Sequence, residues 1–135
     1  MVIRRIFAFL IDIVIATLFS IIPIPLVSGL IAFLYMLLRD GLTDQGSIGK
    51  RMLNLQVVTM GGQRLNYEES MRRNIIFAIP AIFHVIPLIG WLLALLLGLI
   101  IYVVELLAMN NSPRGQRNGD RWAGTVVQDA PHYYN

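Results

Sequence analysis

Residues 6–38 read IFAFLIDIVIATLFSIIPIPLVSGLIAFLYMLL, an apolar run that contains a single charged side chain, Asp12. A second apolar run occupies residues 74–108 and contains one carboxylate, Glu105. The runs are 33 and 35 residues long, too long for one ordinary membrane span of about 20 residues and short for two. Prolines lie near the middle of both runs, at positions 23, 25, 80 and 87. Each run is therefore predicted to form two short helices joined by a tight turn.

The composition indicates an integral membrane protein. Hydrophobic residues make up 56% of the chain and charged residues 14%, whereas a soluble domain carries about 25% charged residues. At 135 residues the chain is expected to form one membrane domain in contact with the lipid bilayer. The absence of cysteine excludes disulfides and cysteine metal sites. No basic run alternates with aromatic residues, so no nucleic-acid partner is expected.

The basic residues predict the topology. All eleven lysines and arginines lie outside the two apolar runs, and six of them lie between the runs. Under the positive-inside rule each run must then cross the membrane an even number of times. The predicted fold is an all-α membrane protein with a small cytoplasmic β element, in which four short transmembrane helices form two helical hairpins and both termini are cytoplasmic. The predicted helices span about 4–22, 26–38, 67–86 and 90–108, with a cytoplasmic connection at 39–66 and a cytoplasmic tail at 109–135.

Short elements are predicted outside the membrane. Residues 47–53 place apolar residues beside basic ones, which suits a short helix. Residues 55–59 and 124–128 both resemble strands and are predicted to pair in a small sheet. Asn66, with Glu69 three residues later, predicts a capping box at the start of the third long helix. Residues 110–120 are polar and glycine-rich, which is typical of a loop.

Three predicted helices carry small and polar residues on one face. Such residues at four-residue spacing let helices approach closely within a bilayer. The expected result is a compact bundle that holds Asp12, Asn74 and Glu105 toward the cytoplasmic half. The three faces consist of Ala8, Asp12, Ala16 and Ser20; of Ser70, Asn74, Ala78 and Ala81; and of Gly90, Ala94, Gly98 and Glu105.

Two interpretations of the intramembrane carboxylates remain open. Arg5 and Asp12 are seven residues apart and share a helix face, about 10 Å apart along the axis. In one interpretation, arginines neutralise Asp12 and Glu105 and lock the bundle; the candidates are Arg5, Arg72, Arg73 and Arg121. In the other, a desolvated carboxylate has a raised pKa and exchanges a proton or a cation. The remaining charges near helix ends are expected to be solvated, namely Arg39, Asp40, Asp44, Glu68, Glu69, Arg72 and Arg73.

The sequence offers no catalytic or metal site. The histidines, His84 and His132, are predicted to lie on opposite sides of the membrane. The serines have no nearby base, and residues 46–50 lack the spacing of a phosphate-binding loop. We therefore expect neither an enzyme nor a cofactor.

Three segments resemble motifs of the RDD family of small bacterial and archaeal membrane proteins. RRIFAFLID at 4–12 is similar to the first-helix motif, GSIGKRMLNLQVV at 46–58 to the central motif, and DRWAGTVV at 120–127 to the C-terminal motif. The resemblance implies that Arg5, Asp12 and Asp120 are the arginine and two aspartates that name the family. Gly119 departs from the pattern, because the family often has histidine there. The resemblance also implies location in the cell (inner) membrane and a role in transport, with cation/proton exchange attributed to some members.

Two functions are consistent with these sequence features. The first is a transport-related component, such as a cation/proton exchanger, in which Arg5, Asp12 and Asp120 form an ion- or proton-responsive cluster and Glu105 and Asn74 are secondary candidates. Four short helices enclose little space, so this component is expected to be a homo-oligomer or to join another membrane protein. The alternative is a non-transporting membrane scaffold or accessory subunit in which the same cluster is structural.

Overall fold

The computed structural model describes residues 1–131, so His132 lies outside the described residues. Within this range the fold is mostly helical, with a small two-stranded sheet. The predicted helices agree with the four longest elements to within a few residues, and short 3-10 turns follow α1 and α4. In chain order the elements are α1 (Val2–Leu18), α2 (Pro25–Leu38), α3 (Ile48–Met52), β1 (Leu55–Thr59), α4 (Tyr67–Ile82), α5 (Ile89–Asn110), α6 (Asn118–Ala123) and β2 (Thr125–Asp129).

Short breaks separate α1 from α2 and α4 from α5. Pro25 is the first residue of α2, a position where its fixed φ is suitable and its missing N–H costs nothing. The capping box predicted at the start of α4 is present, because Asn66 and Glu69 each accept a hydrogen bond from the other's backbone N–H. Helices α2 and α4 form the most extensive helix contact, α5 packs on α4, and α1 packs chiefly on α3.

Helix α5 has the length and composition of a membrane span. It contains 22 residues and, among the described residues, is the only helix long and apolar enough to cross a membrane on those criteria. Helices α1, α2 and α4 contain 17, 14 and 16 residues. All of them expose large apolar side chains on their outer faces, such as Val14, Leu30, Ile82 and Ile100.

The small sheet confirms the predicted pairing of two distant segments. Strands β1 and β2 are antiparallel, with Leu55 opposite Asp129 and Thr59 opposite Thr125. Leu55, Val57 and Val127 are buried against Ala8 of α1. The sheet therefore lies over the beginning of α1.

The prediction of a loop throughout residues 110–120 was wrong. Helix α6 begins at Asn118 and includes Asp120. Its first turn is held by tertiary contacts, because Glu105 of α5 accepts a hydrogen bond from the backbone N–H of Asn118 at 2.9 Å. A six-residue helix fixed in this way leaves no apolar periodicity in the sequence.

On the small-residue face of α1, Ala8 and Asp12 pack against α3, whereas Ala16 packs against a cluster that includes Phe77 of α4. Ala8 and Asp12 are buried, whereas Ser20 is exposed. A Cβ atom on Gly49 of α3 would lie 2.1 Å from the backbone oxygen of Ala8. The prediction of close approach was right for α1, but the neighbouring helix comes from the connection between the hairpins.

Candidate functional site: a buried ion-pair network

Asp12 lies at the centre of the first part of the site. Its Oδ1 accepts hydrogen bonds from the Tyr35 hydroxyl at 3.1 Å and from the Gly49 backbone N–H at 3.0 Å. Its Oδ2 accepts one from Arg39 Nη1 at 3.2 Å. The Arg39 guanidinium also lies over the Phe9 ring, 5.0 Å from its centroid. Asp12 and Arg39 are both at most 1% exposed, so this is a fully buried ion pair.

Asn74 joins this pair to a second carboxylate, Asp40. Arg39 Nη2 donates to Asn74 Oδ1 at 3.3 Å, and Asn74 Nδ2 donates to Asp40 Oδ2 at 2.8 Å. Asp40 also forms ion pairs with Lys50 Nζ and with Arg73 Nε, the latter at 2.8 Å. The end of α2, the short helix α3 and the start of α4 therefore meet at Asp40.

Asp120 is the third carboxylate and carries the largest number of cationic partners. Arg5 Nη2 lies 2.6 Å from Oδ2, while Arg73 Nη2 and Arg117 Nη2 lie 2.9 and 3.0 Å from Oδ1. Arg117 also donates its backbone N–H to Oδ2 at 3.2 Å. Because Arg73 contacts both Asp40 and Asp120, one network connects α1, α4 and the tail helix α6.

The arginines and the lysine shift the pKa values of this network. Burial by itself raises the pKa of Asp40, but the charges of Lys50 and Arg73 outweigh it and hold that pKa well below its usual range. In the same way Arg117, Arg73 and Arg5 outweigh burial at Asp120 and lower its pKa. Both carboxylates are therefore ionised at neutral pH.

Lys50 behaves differently from the carboxylates. Burial is the main cause that lowers its pKa to about 7; Asp40 opposes this shift, and the positive charges of Arg73 and Arg39 add to it. A lysine with this pKa gains or loses a proton near neutral pH.

A small cavity adjoins the network. It has a volume of about 30 Å³ and is lined by charged side chains and by Phe9 and Tyr102. A cavity needs about 10–15 Å³ to hold one water molecule, so there is room for one or two small species. The charged side chains in its lining are Arg5, Asp12, Arg39, Lys50, Glu105 and Arg117.

Comparison with known proteins identifies the family. The model of the RDD family matches residues 17–124, which is most of the chain. The chain belongs to the RDD family. No curated protein and no solved structure matches it. RDD is a membrane family, and this agrees with the apolar helix α5. The matched range includes residues 46–58 and Asp120, whereas Arg5 and Asp12 lie before it.

The structure of this RDD protein divides the predicted trio between two centres. Arg5 and Asp120 contact each other directly, but Asp12 pairs with Arg39. Arg39 was not among the arginines predicted to neutralise Asp12, so that prediction was wrong. The reason lies in the chain path, because the end of α2 lies beside α1 and brings both Tyr35 and Arg39 onto Asp12. Asp40 and Arg73 connect the two centres.

The prediction that the charges at the helix ends are solvated was wrong for three of them. Arg39, Asp40 and Arg73 are each 1% exposed. The connection between the hairpins folds over these helix ends and removes them from solvent. The prediction was right for the Asp44–Arg64 and Glu68–Arg72 pairs, whose side chains are all more than half exposed.

The two secondary candidates, Glu105 and Asn74, take part in the site through hydrogen bonds. Glu105 is buried and accepts hydrogen bonds from the backbone and the side-chain amide of Asn118, so it caps helix α6. None of the arginines proposed for Glu105 forms an ion pair with it within residues 1–131. Asn74 is the amide bridge between Arg39 and Asp40.

Sequence reasoning missed four members of the network and assigned a fifth, Arg73, to the wrong carboxylates. One signal was present, since Lys50 lies in the Gly-Lys-Arg segment that resembles the RDD central motif. The other members adjoin apolar runs or lie in the polar segment before Asp120, and nothing local distinguishes them from solvated charges. The missed residues are Arg39, Asp40, Lys50 and Arg117. Arg73 was proposed as a partner of Asp12 or Glu105 but pairs with Asp40 and Asp120.

Proposed function

We propose that both hairpins of this RDD protein cross the membrane and return, with both termini on the cytoplasmic side. The network supports this topology because it joins the start of α1, the end of α2 and the start of α4. The end of α5 joins them as well, because Glu105 binds the first residue of α6. These four helix ends must then lie on one side of the bilayer. The positive-inside rule assigns that side to the cytoplasm.

Single-cysteine labelling tests this topology directly, because the chain has no cysteine of its own. In intact cells a membrane-impermeant maleimide should label Ser20→Cys and Pro87→Cys, and should label Gly61→Cys and Ser112→Cys only after the membrane is opened. All four positions are at least partly exposed. Labelling of Gly61→Cys in intact cells would indicate one crossing per apolar run and would refute the four-span topology.

We infer that the protein is a non-transporting membrane scaffold or accessory subunit in which the network is structural. The observation that supports this is the set of hydrogen bonds to Asp12. Its carboxylate accepts one from the Tyr35 hydroxyl, one from the Arg39 guanidinium and one from the Gly49 backbone N–H. A carboxylate that exchanges ions must release its partners in each cycle. Breaking a buried ion pair of this kind costs about 3–5 kcal/mol.

The outer half of the bundle also favours a scaffold. A cleft of about 430 Å³ lies between α1, α2, α4 and α5. Its lining is mainly apolar, and His84, Thr17, Trp91 and Tyr102 supply its polar atoms. Ion and proton pathways in membranes use carboxylates, histidines or cations that face each other. Within residues 1–131 the lining of this cleft contains a single histidine, His84, and no carboxylate, so no pair of facing ionisable groups continues a path from Asp12.

The network gives such a scaffold a rigid cytoplasmic face. Helix α6 and the sheet are fixed to the membrane helices through Asp120, and α6 presents Trp122, which is 64% exposed. Met60 lies exposed next to the sheet. Exposed tryptophan on a rigid support is the kind of residue that anchors protein interfaces. A second copy or another membrane protein is the expected partner.

Ion flux in proteoliposomes tests this function. The wild-type protein should show no Na⁺, K⁺ or H⁺ movement above that of protein-free liposomes, under imposed pH gradients of either sign. The liposomes should contain folded protein, verified by its thermal unfolding after extraction. Saturable flux by the wild-type protein would refute the scaffold.

One observation favours proton-coupled transport as a second candidate. Lys50 has a pKa of about 7 and adjoins the 30 Å³ cavity, so it meets the protonation requirement of an exchanger. If flux is found, Lys50→Met should abolish it, whereas substitution of the exposed neighbour Arg51 by Met should leave it unchanged. Equal loss in both variants would contradict a role for Lys50.

A further inference from the structure

The buried charges of the network do not sum to zero. Among the described residues, five cationic and four anionic side chains are buried, which leaves one positive charge uncompensated when all are ionised. An uncompensated charge in a protein interior is strongly unfavourable unless it is neutralised. The cations are Arg5, Arg39, Lys50, Arg73 and Arg117, and the anions are Asp12, Asp40, Glu105 and Asp120.

Most of the buried cations line the small cavity, and the carboxylates Asp40 and Asp120 pair with three of them without lining it. Four of the five cations line it, together with only two of the anions, Asp12 and Glu105. Arg39 is 1% exposed, and its Nε is a buried donor with no acceptor among residues 1–131. A buried donor without an acceptor is costly and calls for an unseen partner. The cavity is therefore lined by more cations than anions, and one lining residue, Arg39, has an unused donor.

We propose that this cavity binds one small monovalent inorganic anion of about the size of chloride, which supplies the missing negative charge of the network. The volume of about 30 Å³ holds one or two water-sized species, which suits a small inorganic anion better than an organic acid. Guanidinium N–H groups and the Lys50 ammonium are strong donors to an anion. This site is independent of whether the protein transports ions, because a structural anion and a transported anion require the same contacts.

Protonation of Lys50 is coupled to this anion. Lys50 is faced by Asp12 of α1, by Arg39 and Asp40 after α2, and by Arg73 of α4. When Lys50 loses its proton the buried network becomes neutral, and the electrostatic reason for binding an anion disappears. Below the pKa of Lys50 the affinity should be constant, and above it the affinity should fall about tenfold per pH unit, as expected for one coupled proton.

Thermal unfolding of the full chain in neutral detergent provides the test. Chloride or bromide is titrated against gluconate at constant ionic strength, at pH 6 and at pH 9. The expected result is a saturable rise of the unfolding temperature at pH 6 and a dissociation constant about a hundredfold weaker at pH 9. The absence of a saturable effect at pH 6 would overturn the proposal.

Variants at Lys50 separate this site from general salt effects. Lys50→Arg keeps the positive charge but does not titrate, so halide binding should persist and lose its dependence on pH. Lys50→Met removes the excess charge and should abolish binding, whereas Arg51→Met, at the exposed neighbour, should bind as the wild type does. Pronounced pH dependence in Lys50→Arg, or unchanged binding in Lys50→Met, would overturn the proposal.

The source of the anion is tested with lipids. The chloride titration is repeated in nanodiscs of neutral phosphatidylcholine and in nanodiscs that contain phosphatidylglycerol. A free inorganic anion predicts the same chloride affinity in both. Stabilisation by phosphatidylglycerol together with loss of the chloride effect in neutral lipid would assign the site to a lipid headgroup and overturn the proposal.

Discussion

Replacement of Gly49 by alanine tests the contact between α1 and α3. The new Cβ would lie 2.1 Å from the Ala8 backbone oxygen and 3.0 Å from Asp12 Oδ1. The obstructing atom belongs to the backbone, so α3 must move by roughly 1 Å to restore an ordinary contact. That movement lengthens the 3.0 Å hydrogen bond from Gly49 to Asp12 beyond the usual range.

The expected cost follows from two opposing terms. A hydrogen bond to a charged group contributes about 1.5–3 kcal/mol, whereas alanine stabilises a helix by about 0.5–1 kcal/mol relative to glycine. The free energy of unfolding should therefore fall by about 0.5–2.5 kcal/mol, which lowers the unfolding temperature by roughly 2–10 °C. The measurement is thermal unfolding in detergent followed by tryptophan fluorescence.

Gly61→Ala is the matched control. A Cβ atom at Gly61 has Thr59 Oγ1 as its nearest neighbour, at 3.8 Å. This variant should unfold within about 0.5 kcal/mol of the wild type. If Gly49→Ala were as stable as Gly61→Ala, or more stable than the wild type, the close packing of α3 on Asp12 would be refuted.

Two further substitutions probe the charges of the network. Asp120→Asn leaves three buried arginines facing one another and should lower the free energy of unfolding by about 3–5 kcal/mol, measured as a lower unfolding temperature. The control Asp129→Asn removes an exposed pair with Arg4 and should cost less than about 1 kcal/mol. Equal losses would contradict the assignment of Asp120 to the buried network. Lys50 releases its proton near pH 7 in the folded protein but near pH 10.4 in the unfolded chain. Between these two pH values the unfolded state therefore binds more protons than the folded state. The free energy of unfolding should then rise with pH by at most about 1.4 kcal/mol per pH unit. A flat profile for the wild type in chloride-free buffer, indistinguishable from that of Lys50→Arg, would contradict the lowered pKa.

Patterns close together in the sequence predicted most of the secondary structure. The prolines between short apolar segments predicted the breaks between α1 and α2 and between α4 and α5. The Asn66 capping box predicted the start of α4. The β1–β2 pairing was also predicted, because both segments share an unusual strand-like composition in a helical chain. These features depend on local conformational preference or on composition.

The partners within the site depend on the chain path and could not be predicted in the same way. Asp40 and Arg73 are 33 residues apart, and their ion pair depends on how the end of α2 meets the start of α4. A charged residue next to an apolar run has the same local sequence whether water or another part of the chain covers it. The contact between Arg5 and Asp120 was expected from the family resemblance; the pairing of Asp12 with Arg39 had no signal in either the pattern or the resemblance.

The stability of the Asp12→Asn protein tests the structural role of the network most directly. This variant keeps the shape of the side chain and removes the charge that neutralises buried Arg39. Its unfolding temperature should be lower than that of the wild type by the equivalent of about 3–5 kcal/mol, while Asp44→Asn, at an exposed pair, should be unchanged. A normal unfolding temperature for Asp12→Asn would contradict the structural role and leave ion or proton exchange as the function of this carboxylate.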